Sequence, residues 1–451
     1  MSDEAATQTL TAMVCDAGGH VGSICVGTSA EGHRGVFAIA PIRAGELLLS
    51  VPRTLILHPR LPADDSSASA PYEELRLMLL LRKHAKNAPS SDKLAGWLEM
   101  LPSEFHLPTE WPDAELSLLG CASLEGAIRE ERGELVEAFS RIEEGGSLPG
   151  LGLAEYLWAA SAVASRSAHL AEVEHKSGVP AMVPFGDMFN HLPSEAPAHA
   201  LFDAAAGTYQ YHALHAVDAG EQVWLSYGSH DDSVLLRCYG FVPTANPHRR
   251  CELALGLDGL PPAHREWAAE HGLDCEQHVE AEGASWALMG AARLLSARKD
   301  EIERGGALTI LEGEAVSPRC EARALGRLLE LARARLGEVE GPGVAEVEAS
   351  GIASELSERG PSADDPRAKR RRGEGVGEGA RADAPLDATT SAAARAGQLG
   401  GGAAARSLAR AFREAQAEVL RAAIASLVVA LELVEEGGGS PEEDPAEAAV
   451  P

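Results

Sequence analysis

VPFGDMFNHLP at 183–193, AGEQVWLSYG at 219–228 and LLRCYGFV at 235–242 are the stretches whose reading decides the fold. In the first, Asp187 precedes an apolar Met188-Phe189 pair and then Asn190 and His191, so the chain passes from buried positions straight into polar donors and acceptors. In the second, β-branched and aromatic residues bounded by Gly220 and Gly228 predict a strand that ends near Tyr227. TYQYHAL at 208–214 has the same character. In the third, Tyr239 and Phe241 flank Gly240, and aromatic residues after a strand serve a core as readily as a binding site. Taken singly, an Asn-His pair reads as a turn and a strand tyrosine as sheet packing; only their order points further.

Working outward, residues 20–58 alternate apolar runs with turn signals at Glu31-Gly32, Gly35 and Ala44-Gly45, which predicts a small β unit. Gly35 lets a backbone approach a ligand closely, and the Ala44-Gly45 turn delivers Glu46 and Leu47 to a strand edge. From 73 to 86 the spacing of Leu75, Met78, Leu79 and Arg82 is helical, and helices are expected as far as 156–169, where Tyr156, Ala159, Ala160 and Val163 share a face. The β unit is thus interrupted by a helical insert at about 65–170 and resumed from 182 to 241. Beyond Asn246 the pattern is helical again, notably at 284–302, 321–336 and 406–433. Residues 340–403 hold few bulky apolar side chains and are expected to form a disordered loop within that helical region. Flexible ends are expected at 1–19 and, as an acidic tail, at 437–451.

The 451-residue chain carries 68 acidic against 39 basic residues, a formal net charge of -29, which argues against phosphate-backbone binding and suits a basic protein partner or simple solubility. Its seven cysteines are scattered and never spaced C-x-x-C, so neither a disulfide framework nor a zinc site is expected. The N-terminus has no apolar run behind a basic stretch, and the apolar run at 422–431 is about half the roughly 20 residues of a membrane span. These features predict a reduced compartment, cytoplasm or nucleus, with no membrane association. The basic run Lys369-Arg370-Arg371-Arg372 reads either as a nuclear-import signal or as solvated charge.

Taken in order, the segments resemble the SET-domain methyltransferases, specifically the branch that includes the Rubisco large-subunit methyltransferase and the actin-histidine methyltransferase. The resemblance rests on HRGVFA at 33–38, AGELL at 44–48 with Val51-Pro52, Ser165-Arg166-Ser167, the D-x-x-N-H run at 187–191, Ser226-Tyr227-Gly228 and Tyr239-Gly240-Phe241. WLEMLPSEFHLPTEWPDAELSLL at 97–119 is similar to the helical insertion of that branch. The resemblance implies an α+β fold: a β-rich SET domain with a pseudo-knot at 20–243, split by the insert, then an all-α substrate-binding domain of the Rubisco-methyltransferase type at 244–436.

It also implies S-adenosyl-L-methionine as cofactor. Gly35 and Val36 would lie against its amino-acid end, Glu46 and Leu47 beside the adenosine, and Arg166 would reach its carboxylate. Asn190 would bind the methionine portion, His191 and Phe241 the adenine end, and Asp187 would brace the loop. Tyr227 would be the catalytic hydroxyl and Tyr239 would line the acceptor channel. No metal is implied. The implied activity is protein-lysine N-methylation of a non-histone protein by a monomer. Protein-histidine methylation and an inactive SET-fold interaction protein are the alternatives. Two positions depart from the pattern. Ala168 stands where lysine-modifying members tend to carry an aromatic and the histidine-modifying member an asparagine, and His230 stands where relatives are often basic or polar; both leave the acceptor open. The cysteine-rich zinc module that follows many histone-methylating SET domains is absent.

Overall fold

The computed structural model describes residues 1–30, 32–59, 70–83, 93–146, 148–172, 175–341 and 402–437. The expected loop at 340–403, with its basic run at 369–372, and the 437–451 tail lie almost wholly outside the described residues. The chain divides into two compact units. The first comprises Met1–Ser229, Ser233–Val242 and Pro342–Arg410; the second comprises His230–Asp232, Pro243–Gly341 and Ala411–Pro451.

In the first unit, residues expected to be flexible form helix α1, Asp3–Asp16. Ser2 caps it by accepting from the Ala5 amide, and Asp3 and Glu4 occupy its first turn, where carboxylates suit the helix dipole. Ala6, Leu10 and Val14, spaced i, i+4, are fully buried against the core. That stripe overrides the polar look of the terminus, so the flexible assignment of 1–19 is corrected. Strands β1 (His20–Val21), β2 (Ile24–Thr28), β3 (Arg34–Ala38) and β4 (Leu47–Pro52) follow. The insert then supplies helices α2 (Ala70–Lys83), α3 (Ala95–Leu98), α4 (Asp113–Leu116), α5 (Ala122–Glu144) and α6 (Leu153–Arg166). Arg132 of α5 ties the insert together, donating to the Thr109 and Trp111 carbonyls and to Asp113.

The chain returns in β5 (Ser167–Glu172), β6 (His175–Met182), β7 (Ala198–Asp203) and β8 (Thr208–Ala213). The main sheet runs β1-β4-β8-β7, with β2-β3 and β5-β6 as separate antiparallel pairs. Two local expectations change. The helix expected to reach His169 stops at Arg166, because Ser167 and Ala168 pair with Met182 and Ala181. Alanine favours a helix locally, so here the tertiary pairing of the ladder overrides local propensity. EQVWLSYG is extended but is no regular strand. Its Gln222 bridges Phe37 antiparallel, while its Leu225 bridges His191 and Ala198 in parallel. A segment that changes partners within a few residues cannot hold one ladder.

The second unit is mainly helical, with Pro262–Glu270, Trp286–Ser296, Pro318–Glu340 and the part of Ala403–Gly437 from Ala411 onward. An all-α unit was expected; it holds in addition a three-stranded antiparallel sheet of Cys251–Glu252, His278–Glu280 and Gly283–Ala284. A buried Arg293 forms a two-toothed ion pair with Glu321 at 2.8 and 2.7 Å. No described helix is long and apolar enough to cross a membrane.

If α1 is part of the first core, Leu10→Ala lowers the unfolding free energy by about 2–5 kcal/mol. Denaturant titration checks this, and an unchanged midpoint would make α1 an accessory.

Candidate active site

Three chain-distant segments of the first unit meet at the end of β3. The backbone of Val223 donates to Val36 O at 2.8 Å, Leu225 N donates to Asn190 O at 2.9 Å, and Leu192 N donates to Leu225 O at 3.0 Å. Residues 222–225 therefore lie between β3 and the Asn190-His191 segment. Asn190 Nδ2 donates to Arg34 O at 2.9 Å, locking its amide beside Gly35. A side chain at Gly35 would run into Gln222 Nε2 and come within 2.8 Å of Asn190 Nδ2, so only glycine lets these two amides pack against the β3 backbone.

Asn190 is aimed by strain immediately upstream. Phe185, fully buried, sits at φ 72°, a left-handed conformation that a bulky residue adopts only when its surroundings demand it. Gly186 follows with no room for a side chain against the Tyr211 hydroxyl. The next residue, Asp187, has a side chain with no solvent exposure. Its carboxylate accepts from Trp97 Nε1 at 3.1 Å and from Arg166 Nη1 at 3.2 Å, and the same guanidinium nitrogen reaches Asp187 O at 3.0 Å. Burial raises the Asp187 pKa, while Arg166 and Trp97 pull against that shift. Arg166 Nε is buried and has no hydrogen-bond partner in the protein.

The aromatic wall is built around Tyr227. Its amide donates to His191 Nδ1 at 3.0 Å, so that nitrogen is an acceptor and the neutral ring carries its proton on Nε2. Its hydroxyl donates to Phe189 O at 2.7 Å. The Tyr227 ring stacks on His191 at 4.9 Å and faces Tyr239, also at 4.9 Å, while Phe241 lies 6.0 Å from His191. Tyr239 sits in a π-helical turn, Leu235–Tyr239, closed by Gly240 at φ 76°; such turns redirect side chains. Burial pushes the Tyr227 phenol well above its ordinary pKa and pushes Tyr239 up to about 12. Among the described residues, no group of three or more His, Cys, Asp or Glu is arranged to hold a metal ion.

No protein-family model matches the chain. It is 24% identical over 322 residues to SET domain-containing protein 4 of Mus musculus, covering 65% of this chain and 72% of that protein. It is 22% identical over 244 residues to the actin-histidine N-methyltransferase of Danio rerio, covering 50% of this chain and 40% of that one. The SET domain of LSMT bound to lysine and AdoHcy superposes with a TM-score of 0.62 at 17% identity, covering 97% of this chain and 94% of that one. Rubisco LSMT bound to AdoMet gives 0.61 at 16% identity, covering 96% and 93%. The chain has the SET fold of this branch.

In this SET domain, Gly35, Val36, Arg166, Asp187, Asn190, His191, Tyr227, Tyr239 and Phe241 are linked by the contacts just described or adjoin them. Glu46 and Leu47 are not. Glu46 accepts from the Arg43 amide at 3.1 Å and so braces its own turn, and Leu47 opens β4 opposite His212. Among the described residues, neither makes a hydrogen bond with the Asn190–Tyr227 group. Ala168 lies in β5 and packs on the core. His230 belongs to the second unit, where its carbonyl accepts from Asn246 Nδ2 at 3.0 Å. Two participants escaped the sequence reading. Trp97 belongs to a recognised insertion motif, but nothing local says that its indole reaches Asp187. Gln222 sits mid-segment, where a glutamine reads as solvent-facing.

Removing the indole N–H with Trp97→Phe is expected to cost about 1–3 kcal/mol of stability, the range for a lost hydrogen bond to a buried charged group. In an Asp187→Ala background the loss should shrink. Equal losses in both backgrounds, measured by denaturant unfolding, would uncouple Trp97 from Asp187.

Proposed function

We propose that this chain is an S-adenosylmethionine-dependent protein N-methyltransferase and that its acceptor is a lysine side chain. The observation that carries this is the buried Tyr227 hydroxyl, fixed by donation to Phe189 O amid His191, Tyr239 and Phe241.

The donors fit the cofactor's amino-acid end: the Asn190 and Gln222 amides pack against the bare Gly35 backbone, and the buried Arg166 Nε offers an unused donor suited to a carboxylate. When bound, S-adenosylmethionine supplies a methyl group on a positively charged sulfur. The protein's task is then alignment and water exclusion. A lysine attacks only as a neutral amine, and a desolvated aromatic channel next to a positive charge favours that form. Tyr227 is poorly suited to serve as the base, because burial raises the pKa of its phenol and so disfavours the phenolate. It orients the amine instead.

Structures of the same fold hold lysine or monomethyllysine together with AdoHcy or sinefungin, which supports the same acceptor chemistry here. Residues 20–243 would form the methyl-transferring domain, and the helical second unit would capture the protein substrate.

Incubating the protein with a cell lysate and isotopically labelled S-adenosylmethionine should label lysine, read by mass spectrometry. Label on histidine alone would overturn the acceptor assignment, and failure to bind S-adenosylmethionine in calorimetry would overturn the enzyme. Tyr227→Phe should keep cofactor affinity and lose turnover on the order of 100-fold. Undiminished turnover would remove the hydroxyl from the mechanism.

A further inference from the structure

We infer that the side-chain amide of Gln222 binds the amino-acid end of S-adenosylmethionine, an inference that rests on the methyltransferase reading above. The backbone around Gln222 is pinned to β3 on both sides. Ala38 N donates to Glu221 O at 2.9 Å, Val223 N donates to Val36 O at 2.8 Å, and Gln222 itself bridges Phe37. Its side chain therefore starts from a fixed point and has little freedom to swing into solvent.

That side chain ends in an unusual state. Nε2 is buried and makes no hydrogen bond within the protein. Buried amide nitrogens almost always find an acceptor, and an exception calls for a missing partner. The position of the nitrogen says where that partner belongs. A Cβ at Gly35 would run into Gln222 Nε2, lie 3.1 Å from Gln222 Cδ and 2.8 Å from Asn190 Nδ2. Two amide nitrogens thus pack side by side against the bare Gly35 backbone, and that of Asn190 already donates one hydrogen to Arg34 O.

A position flanked by amide donors selects an oxygen acceptor. Within S-adenosylmethionine the carboxylate is the strongest acceptor, and hydrogen bonds to a charged oxygen are stronger than those between neutral groups. Gln222 in this way completes a set of donors that Arg166 Nε begins.

The test compares two ligands by calorimetry on the full chain: S-adenosylhomocysteine, and 5′-methylthioadenosine, which lacks the amino-acid end. Gln222→Leu should weaken S-adenosylhomocysteine about tenfold or more, and Gln222→Glu, which sets one carboxylate against another, should weaken it further. Both variants should bind 5′-methylthioadenosine within about twofold of the unsubstituted chain, which also reports that they fold. Unchanged S-adenosylhomocysteine binding by Gln222→Leu would overturn the inference, and so would equal losses for the two ligands, the mark of a merely structural glutamine. If the unsubstituted chain bound neither ligand, the methyltransferase reading itself would fall, and the role of Gln222 with it.

Discussion

A carboxylate with no solvent exposure must be paired and hydrogen-bonded or it will not stay charged, and Asp187 meets that demand from two helices of the insert. Trp97 comes from α3, the second helix of the insert, and Arg166 is the last residue of α6 at its close. The insert is therefore more than a decoration on a split β unit. Two of its helices are clamped onto the loop that presents Asn190 and His191, and breaking either contact would leave a buried charge short of a partner. The same pairing holds the Arg166 guanidinium with Nε turned away from Asp187 and still in want of an acceptor.

A second constraint is the change of partner along residues 222–225. Backbone hydrogen bonds join this segment to β3 on one side and to Asn190 and Leu192 on the other, so a shift in one neighbour moves the other. Such coupling explains the bare Gly35: three segments can approach this closely only where a side chain is absent. It also explains how Tyr227, sequence-distant from Phe189, comes to place its hydroxyl on that carbonyl.

Much of this was legible in the residues. Gly35, the D-x-x-N-H run and Ser226-Tyr227-Gly228 each answer a local demand of backbone or chemistry, and their order across a helical interruption carried the resemblance to SET domains. The helical stripe of Ala6, Leu10 and Val14 was equally visible but lay under polar neighbours. Illegible were the contacts made across long sequence separations. Ser167 and Ala168 look no less helical than the residues before them until Met182 and Ala181 pair with them. That the Glu46 carboxylate accepts from the Arg43 amide three residues away was likewise not readable from its place in a resemblance.

By itself, the sequence determined the split β unit and the helical C-terminal region, because periodicity acts over a few residues, while the order of its short motifs carried the resemblance that implies a methyl donor. Tertiary structure alone decided that Trp97 braces Asp187, that residues 222–225 lie between two partners, that Tyr227 gives its proton to Phe189, and that Gln222 turns a buried amide toward Gly35. The physical reason is common to all four. Whether a polar side chain is exposed, satisfied or left wanting depends on which distant backbone comes to lie against it, and no local pattern encodes that.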